Sequence, residues 1–164
     1  MRHLVLDPDS PEATPIAATL LLSAARAQLV DQLIKPALAA GKLVIVDRYA
    51  DSTLTYQGFG HGVELDTVRT LTRIATHGLR PDIVIYVDVP LEVGLRRVET
   101  RGATNRLDAE SAAFHHRVRS GYLQLAQDEP ERWITVDGSA AADLVHRAVL
   151  RAIEPLLARE TNPV

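Results

Sequence analysis

Between residues 44 and 62 the sequence reads VIVDRYADSTLTYQGFGHG: an apolar run that breaks at Asp47 and Arg48, then a polar segment ending in alternating glycines. An arginine fork grips a phosphate through paired N–H donors. An adjacent carboxylate can sit near a divalent cation that bridges a transferring phosphoryl group. Asp47 and Arg48 together therefore suit phosphoryl transfer to a phosphate acceptor, as in a nucleoside monophosphate kinase. Asp88 and Asp137 also follow apolar runs; one such acid is commonly a cap or turn residue, whereas several at one sheet edge favour a site. Arg26 stands on an apolar stretch beside Ala24, Ala25 and Ala27, whose small side chains leave room for a ligand. The alternative is that its stem covers apolar surface while its head reaches water. The arginine-rich segment RRVETRGATNRLDAES, 96–111, has no apolar periodicity and by itself reads as a solvated loop between helices.

Positioning these residues requires alternating strands and helices. KLVIV (42–46) is a short, continuous apolar run, which predicts a strand buried on both faces. DIVIYVDV (82–89) predicts a second fully buried strand and WITV a third. A long apolar helix is expected over 16–40, bent near Pro36 and stopped by Gly41. DSTLTYQG suits a short helix capped by Asp51 or Ser52, and 64–78 a helix ending on Gly78. Pro90 suits the first position of a helix through LEVGLRRVETRG; SAAFHHRVRSGYLQLAQ and AADLVHRAVLRAIEPLLARE supply two more. GFGHG reads as a flexible turn at a pocket mouth, because no Lys follows to make it a phosphate loop. This alternation implies an α/β fold with a parallel sheet covered by helices on both faces. Ligands gather at the C-terminal strand ends of such sheets.

The 164 residues suit a single domain, and no repeat or linker divides them. A net charge of −3 argues against a surface built for nucleic acid. The absence of cysteine excludes disulfides and thiolate–metal sites within this sequence. No apolar run reaches membrane-span length, so a cytoplasmic location without membrane contact is expected. Sixteen arginines accompany only two lysines, Lys35 and Lys42, so phosphate contacts fall to arginine forks.

SAARAQLVDQLIKPALAAGKLVIVDRYADSTLTYQGFGHG, RPDIVIYVDVPLEVGLRR and FHHRVRSGYLQLA together resemble the bacterial thymidylate kinase family, in its order and spacing, from about Leu4 to Leu157. The resemblance implies a P-loop-kinase type of fold, phosphorylation of dTMP to dTDP with ATP as co-substrate and Mg2+ as cofactor, and a homodimer. It implies that Arg48 binds the dTMP phosphate, with Asp47 near the magnesium, through water, and near the phosphoryl path. Arg26 would meet the thymine edge or the nearby phosphate region, and Thr53 and Gln57 would read the ring. Tyr56 matches the aromatic wall of the nucleoside pocket, although it also suits ordinary core. Leu22 falls where many relatives stack an aromatic on the base, and would give apolar contact without π-stacking. The segment 97–111 corresponds to a lid closing over ATP, with Arg97, Arg101 and Arg106 as phosphate-stabilising candidates and the latter two as catalytic ones. Asn105 and Asp108 replace the Asp and Glu of the relatives' Asp-Arg-hydrophobic-Glu pattern.

Kinases of this type cradle ATP phosphates on G-x-x-x-x-G-K-[ST]. The only Gly-Lys pair here is Gly41-Lys42, with Pro36 at the first glycine position and Leu43 after the lysine, so both anchors fail. Ala18 stands where relatives usually carry Glu. The expectation is a chain truncated at its N-terminus relative to the family, lacking the P-loop βαβ portion, with apolar faces and strand edges exposed. One functional reading is the kinase. The other is a non-catalytic remnant that binds nucleotide weakly or serves as a dimerisation module through the helix 16–40. A kinase for another nucleoside monophosphate is disfavoured by Arg26, Thr53 and Gln57.

Overall fold

A computed structural model of the chain describes residues 2–102 and 105–160. Met1, residues 161–164 and two residues of the expected lid, 103 and 104, lie outside the described residues. A short helix, α1 (Arg2–Leu6), precedes the long helical stretch. That stretch begins as α2 (Pro15–Leu29), where Thr14 Oγ1 accepts from the Ala17 N–H at 3.4 Å and Pro15 takes a position with no N–H to satisfy. It widens into a π-helical turn, Val30–Ile34, and finishes as α3 (Lys35–Ala39). Pro36 supplies no N–H and crowds the carbonyl one turn earlier; the looser π-turn just before it accommodates both effects. Gly41, at φ +68°, ends the run with the Lys42 N–H donating to Ala37 O at 3.0 Å, a left-handed C-terminal stop.

The sheet differs from the expected three strands. β1 (Val84–Asp88) and β2 (Trp133–Asp137) form a two-stranded parallel sheet, paired from Val84 with Trp133 to Asp88 with Asp137. Residues 42–46 are not a buried strand: their backbone bonds to no other strand among the described residues, and Leu43 and Ile45 are 65% and 86% exposed. β1 is half-buried with Val87 exposed, so the sheet is not covered on both faces. The physical reason is neighbour count. An apolar run becomes a buried strand only where strands flank it and helices cover it, and β1 has β2 alone.

Behind residues 42–46 lies α4 (Ala50–Thr53), which runs into a second π-helical turn, Leu54–Gly60. GFGHG is no flexible turn, because Gly58 and Gly60 are buried. A Cβ on Gly60 would stand 2.6 Å from the Phe114 ring, and one on Gly58 2.5 Å from Leu65. These glycines serve close approach rather than mobility. α5 (Leu65–Thr76) starts on Glu64, whose carboxylate accepts from the Asp66 and Thr67 N–H groups, and packs on α2. Pro90 is the N-cap of α6 (Leu91–Arg101), one place earlier than expected. Much of the expected lid is ordered: the end of α6, a 3-10 turn over Arg106–Ala109 capped by Asn105, and Ser111 capping α7 (Ala112–Asp128). α8 (Ala142–Glu160) closes the described chain. The core centres on Val30, Val68, Phe114, Val118, Trp133 and Val136. No described helix is long and apolar enough to cross a membrane.

Candidate functional site

α2, α4 and the π-turn after α4 bring the polar candidates together. Arg26 Nη2 donates to Thr53 Oγ1 at 2.8 Å, and its guanidinium lies 5.2 Å from the centre of the Tyr49 ring. Tyr49 is itself anchored, its hydroxyl donating to Leu79 O at 3.3 Å. Thr53 and Gln57 are 2% and 1% exposed. Gln57 Nε2 has no hydrogen-bond partner among the described residues. A buried amide donor left in that state is costly, and a ligand carbonyl is the kind of group that satisfies it. Leu22 is half-buried one turn before Arg26 on the same face of α2.

Arg48 adopts φ +62°, a left-handed conformation rare for a residue with a long side chain. It carries the guanidinium over Tyr56, 4.9 Å from the ring centre. Asp47 beside it is exposed. Tyr56 belongs to an aromatic cluster, edge-on to Phe114 at 6.0 Å and to Tyr122 at 6.5 Å. Tyr122 stacks on Tyr86 at 5.0 Å. Burial pushes the Tyr122 phenol above its ordinary pKa, so it stays neutral and shares a 2.8 Å hydrogen bond with Ser52.

Neither Asp51 nor Ser52 caps α4, whose N-cap is Tyr49 with no side-chain bond. Ser52 is held by Tyr122, and Asp51 is gripped by Arg132, Nη1 to Oδ2 and Nη2 to Oδ1, each at 3.1 Å. Of the strand-end acids, Asp88 and Asp137 lie side by side in register. Asp88 already accepts from Arg119 at 2.8 and 2.7 Å and from the Tyr86 hydroxyl at 2.9 Å. The Arg119 guanidinium holds the Asp88 carboxyl below its ordinary pKa. Asp137 accepts from the Ser139 N–H at 2.8 Å. These two acids serve the sheet end, whereas Asp47, beside Arg48, ends the extended stretch 42–46 and not a strand.

The lid arginines do not converge. Arg97 donates to the carbonyls of Gly138, Ser139 and Ala140. Arg101 pairs with Asp108 at 3.2 Å. Arg106 donates to the carbonyls of Asp7, Pro8 and Ser10. No group of three or more His, Asp or Glu side chains able to hold a metal occurs among the described residues. Mg2+ takes one or two carboxylates and fills its shell with water and substrate phosphates. A single exposed carboxylate next to an arginine that can hold phosphate fits that donor set.

Sequence reasoning missed Arg132 and Arg119, because their partners stand 81 and 31 residues away and no local spacing encodes such pairs. Tyr49 was not singled out either, although it directly follows Asp47 and Arg48.

A family profile described as thymidylate kinase matches residues 1–149. A thymidylate kinase of Geotalea uraniireducens (strain Rf4) is 45% identical over 163 residues, covering 96% of this chain and 76% of the relative. That of Roseiflexus sp. (strain RS-1) is 42% identical, covering 99% of this chain and 77% of the relative. That of Chlorobium chlorochromatii (strain CaD3) is 38% identical, covering 100% and 78%.

Proposed function

This chain belongs to the thymidylate kinase family, and from that premise we propose that its residues build the acceptor site of a kinase converting dTMP and ATP to dTDP and ADP. The observation that carries this reading is the 2.8 Å bond from Arg26 to the buried Thr53, beside the unsatisfied Gln57 amide. Arginine and amide donors at buried positions suit the carbonyl edge of thymine. Cytosine presents an amino group there and would set donor against donor, a mismatch that polar sites reject strongly. Leu22 and Tyr56 supply apolar walls to the ring and sugar. Arg48 grips the dTMP phosphate with its fork.

A phosphate oxygen of dTMP attacks the γ-phosphorus in line; the new P–O bond forms as the bond to the β-phosphate oxygen breaks, and ADP leaves without proton transfer. Arg48 offsets charge on the nucleophile and fixes its direction. Asp47 would hold Mg2+ through water, and the ion when bound would neutralise phosphate charge. Arg101, exposed on α6 and held by one carboxylate, is the lid arginine most readily redirected to the donor phosphates. Arg106 and Arg97 would first have to leave three carbonyls each. The sequence contains no G-x-x-x-x-G-K-[ST], so the donor-phosphate cradle is assigned to none of its residues. That observation keeps a second reading in play: a nucleotide-binding remnant without turnover.

The exposed Leu33 and Leu38 at the end of the long helical stretch support the family's homodimer as the assembly. Titration of the purified chain with dTMP and with dCMP tests the acceptor site, and tighter binding of dTMP is the expected result. Equal affinity for the two nucleotides would overturn it, and a parallel assay for dTDP formation with ATP and magnesium separates the kinase from the second reading.

A further inference from the structure

Arg48 holds a left-handed backbone although it is neither glycine nor a small polar residue. Such a conformation persists only where its surroundings impose it. Immediately after it, α4 is tied down by Asp51, whose two oxygens are forked by Arg132. Arg132 is well suited to impose a position. It is 8% exposed, and its carbonyl accepts the Val84 N–H at 2.8 Å, which places its backbone in the sheet ladder. Its guanidinium lies 5.4 Å from the Trp133 ring centre and also donates to Glu129 at 2.8 and 3.3 Å. Burial alone would make this cation easier to discharge, but Glu129 and Asp51 outweigh burial and hold it charged.

We propose that Arg132, acting through Asp51, is a positioning residue that fixes the start of α4 to the sheet and so holds Arg48 in its phosphate-gripping conformation. This rests on the reading of Arg48 as the acceptor-phosphate ligand. Asp51 follows Arg48 by three residues. Of the base-reading groups Thr53 ends α4 itself, but Arg26 on α2 bonds it there at 2.8 Å, and Gln57 is buried in the π-turn. Loss of the Asp51–Arg132 pair therefore acts on the phosphate more than on the base.

The test compares dTMP with thymidine, which lacks the phosphate, by calorimetric titration of the full chain and its Asp51→Asn and Glu129→Gln variants. Melting temperatures report folding in parallel. Asp51→Asn keeps the side-chain shape and removes the charge pair. It is expected to weaken dTMP by at least about tenfold while thymidine changes by no more than about twofold. Glu129→Gln breaks the other arm of Arg132; it is expected to lower the melting temperature yet preserve the preference for dTMP over thymidine. If Asp51→Asn weakens both ligands equally, or neither, Arg132 is only structural and the proposal is overturned. A wild-type chain that binds dTMP no better than thymidine would instead overturn the phosphate role of Arg48.

Discussion

In the proposed acceptor site the phosphate falls to Arg48. Its guanidinium sits over Tyr56, able to fork onto a phosphate, with Asp47 exposed next to it in the sequence. Removing a charged hydrogen-bond partner costs about 1.5–3 kcal/mol. Arg48→Ala is therefore expected to raise the dTMP dissociation constant by at least about tenfold, with thymidine binding unchanged, as read by titration calorimetry. Equal losses for both ligands would remove Arg48 from the phosphate. At this scale Arg26 and Arg48 stood out in the sequence by residue type and neighbours, whereas Thr53, Tyr56 and Gln57 were named only through the family resemblance. Their mutual contacts were not legible. The Arg26–Thr53 bond spans 27 residues and is made only once α2 and α4 are packed.

The elements around the site are set by close packing and by two arginine–carboxylate pairs, the first being Arg132 with Asp51. α7 approaches the π-turn so closely that a Cβ on Gly121 would stand 2.7 Å from the Phe59 ring. Overpacking of this kind costs about 1–3 kcal/mol, so Gly121→Ala is expected to lower the unfolding free energy by that amount in urea denaturation. An unchanged midpoint would contradict the packing. The second pair, Arg119 with Asp88, ties α7 to the end of β1. Arg119 depresses the Asp88 pKa in the folded state below its ordinary 3.8. The pair's contribution is therefore fully present above that ordinary value and is lost as pH falls through the depressed one. Thermal melts from pH 6 down to about pH 2, a span enclosing the ordinary carboxylate range, are expected to show a shallower acid decline in Asp88→Asn. Identical declines in the two proteins would show that the pair does not set the acid limb. The helix boundary at Gly41 was readable from the sequence, since a left-handed stop favours glycine, whereas α5 ends at Thr76 on a left-handed His77, two residues before the expected Gly78. The burial of Gly58 and Gly60 was not, because a glycine that admits a neighbour and a glycine that bends freely look alike in one dimension.

Across the whole molecule, apolar surface marks where strands lack neighbours. The alternation of strands and helices, and their parallel sense, were correctly foreseen for β1 and β2. The run 42–46 was misread because apolar composition predicts burial only when partners flank the segment on both edges. Leu43 and Ile45 instead face outward on an unpaired extended stretch, a template for association between chains. Ile45→Lys is expected to reduce concentration-dependent association in light scattering without lowering the melting temperature. Undiminished association would place the sticky surface elsewhere, with Leu33 and Leu38 the next candidates.

The proposed dTMP acceptor site draws its residues from α2, α4 and the π-turn. Calorimetric titration of the purified chain with dTMP and with dCMP tests it most directly. The expected result is saturable binding of dTMP at one site per chain, at least about tenfold tighter than dCMP. Equal affinity for the two nucleotides, or no binding of dTMP at all, would contradict it.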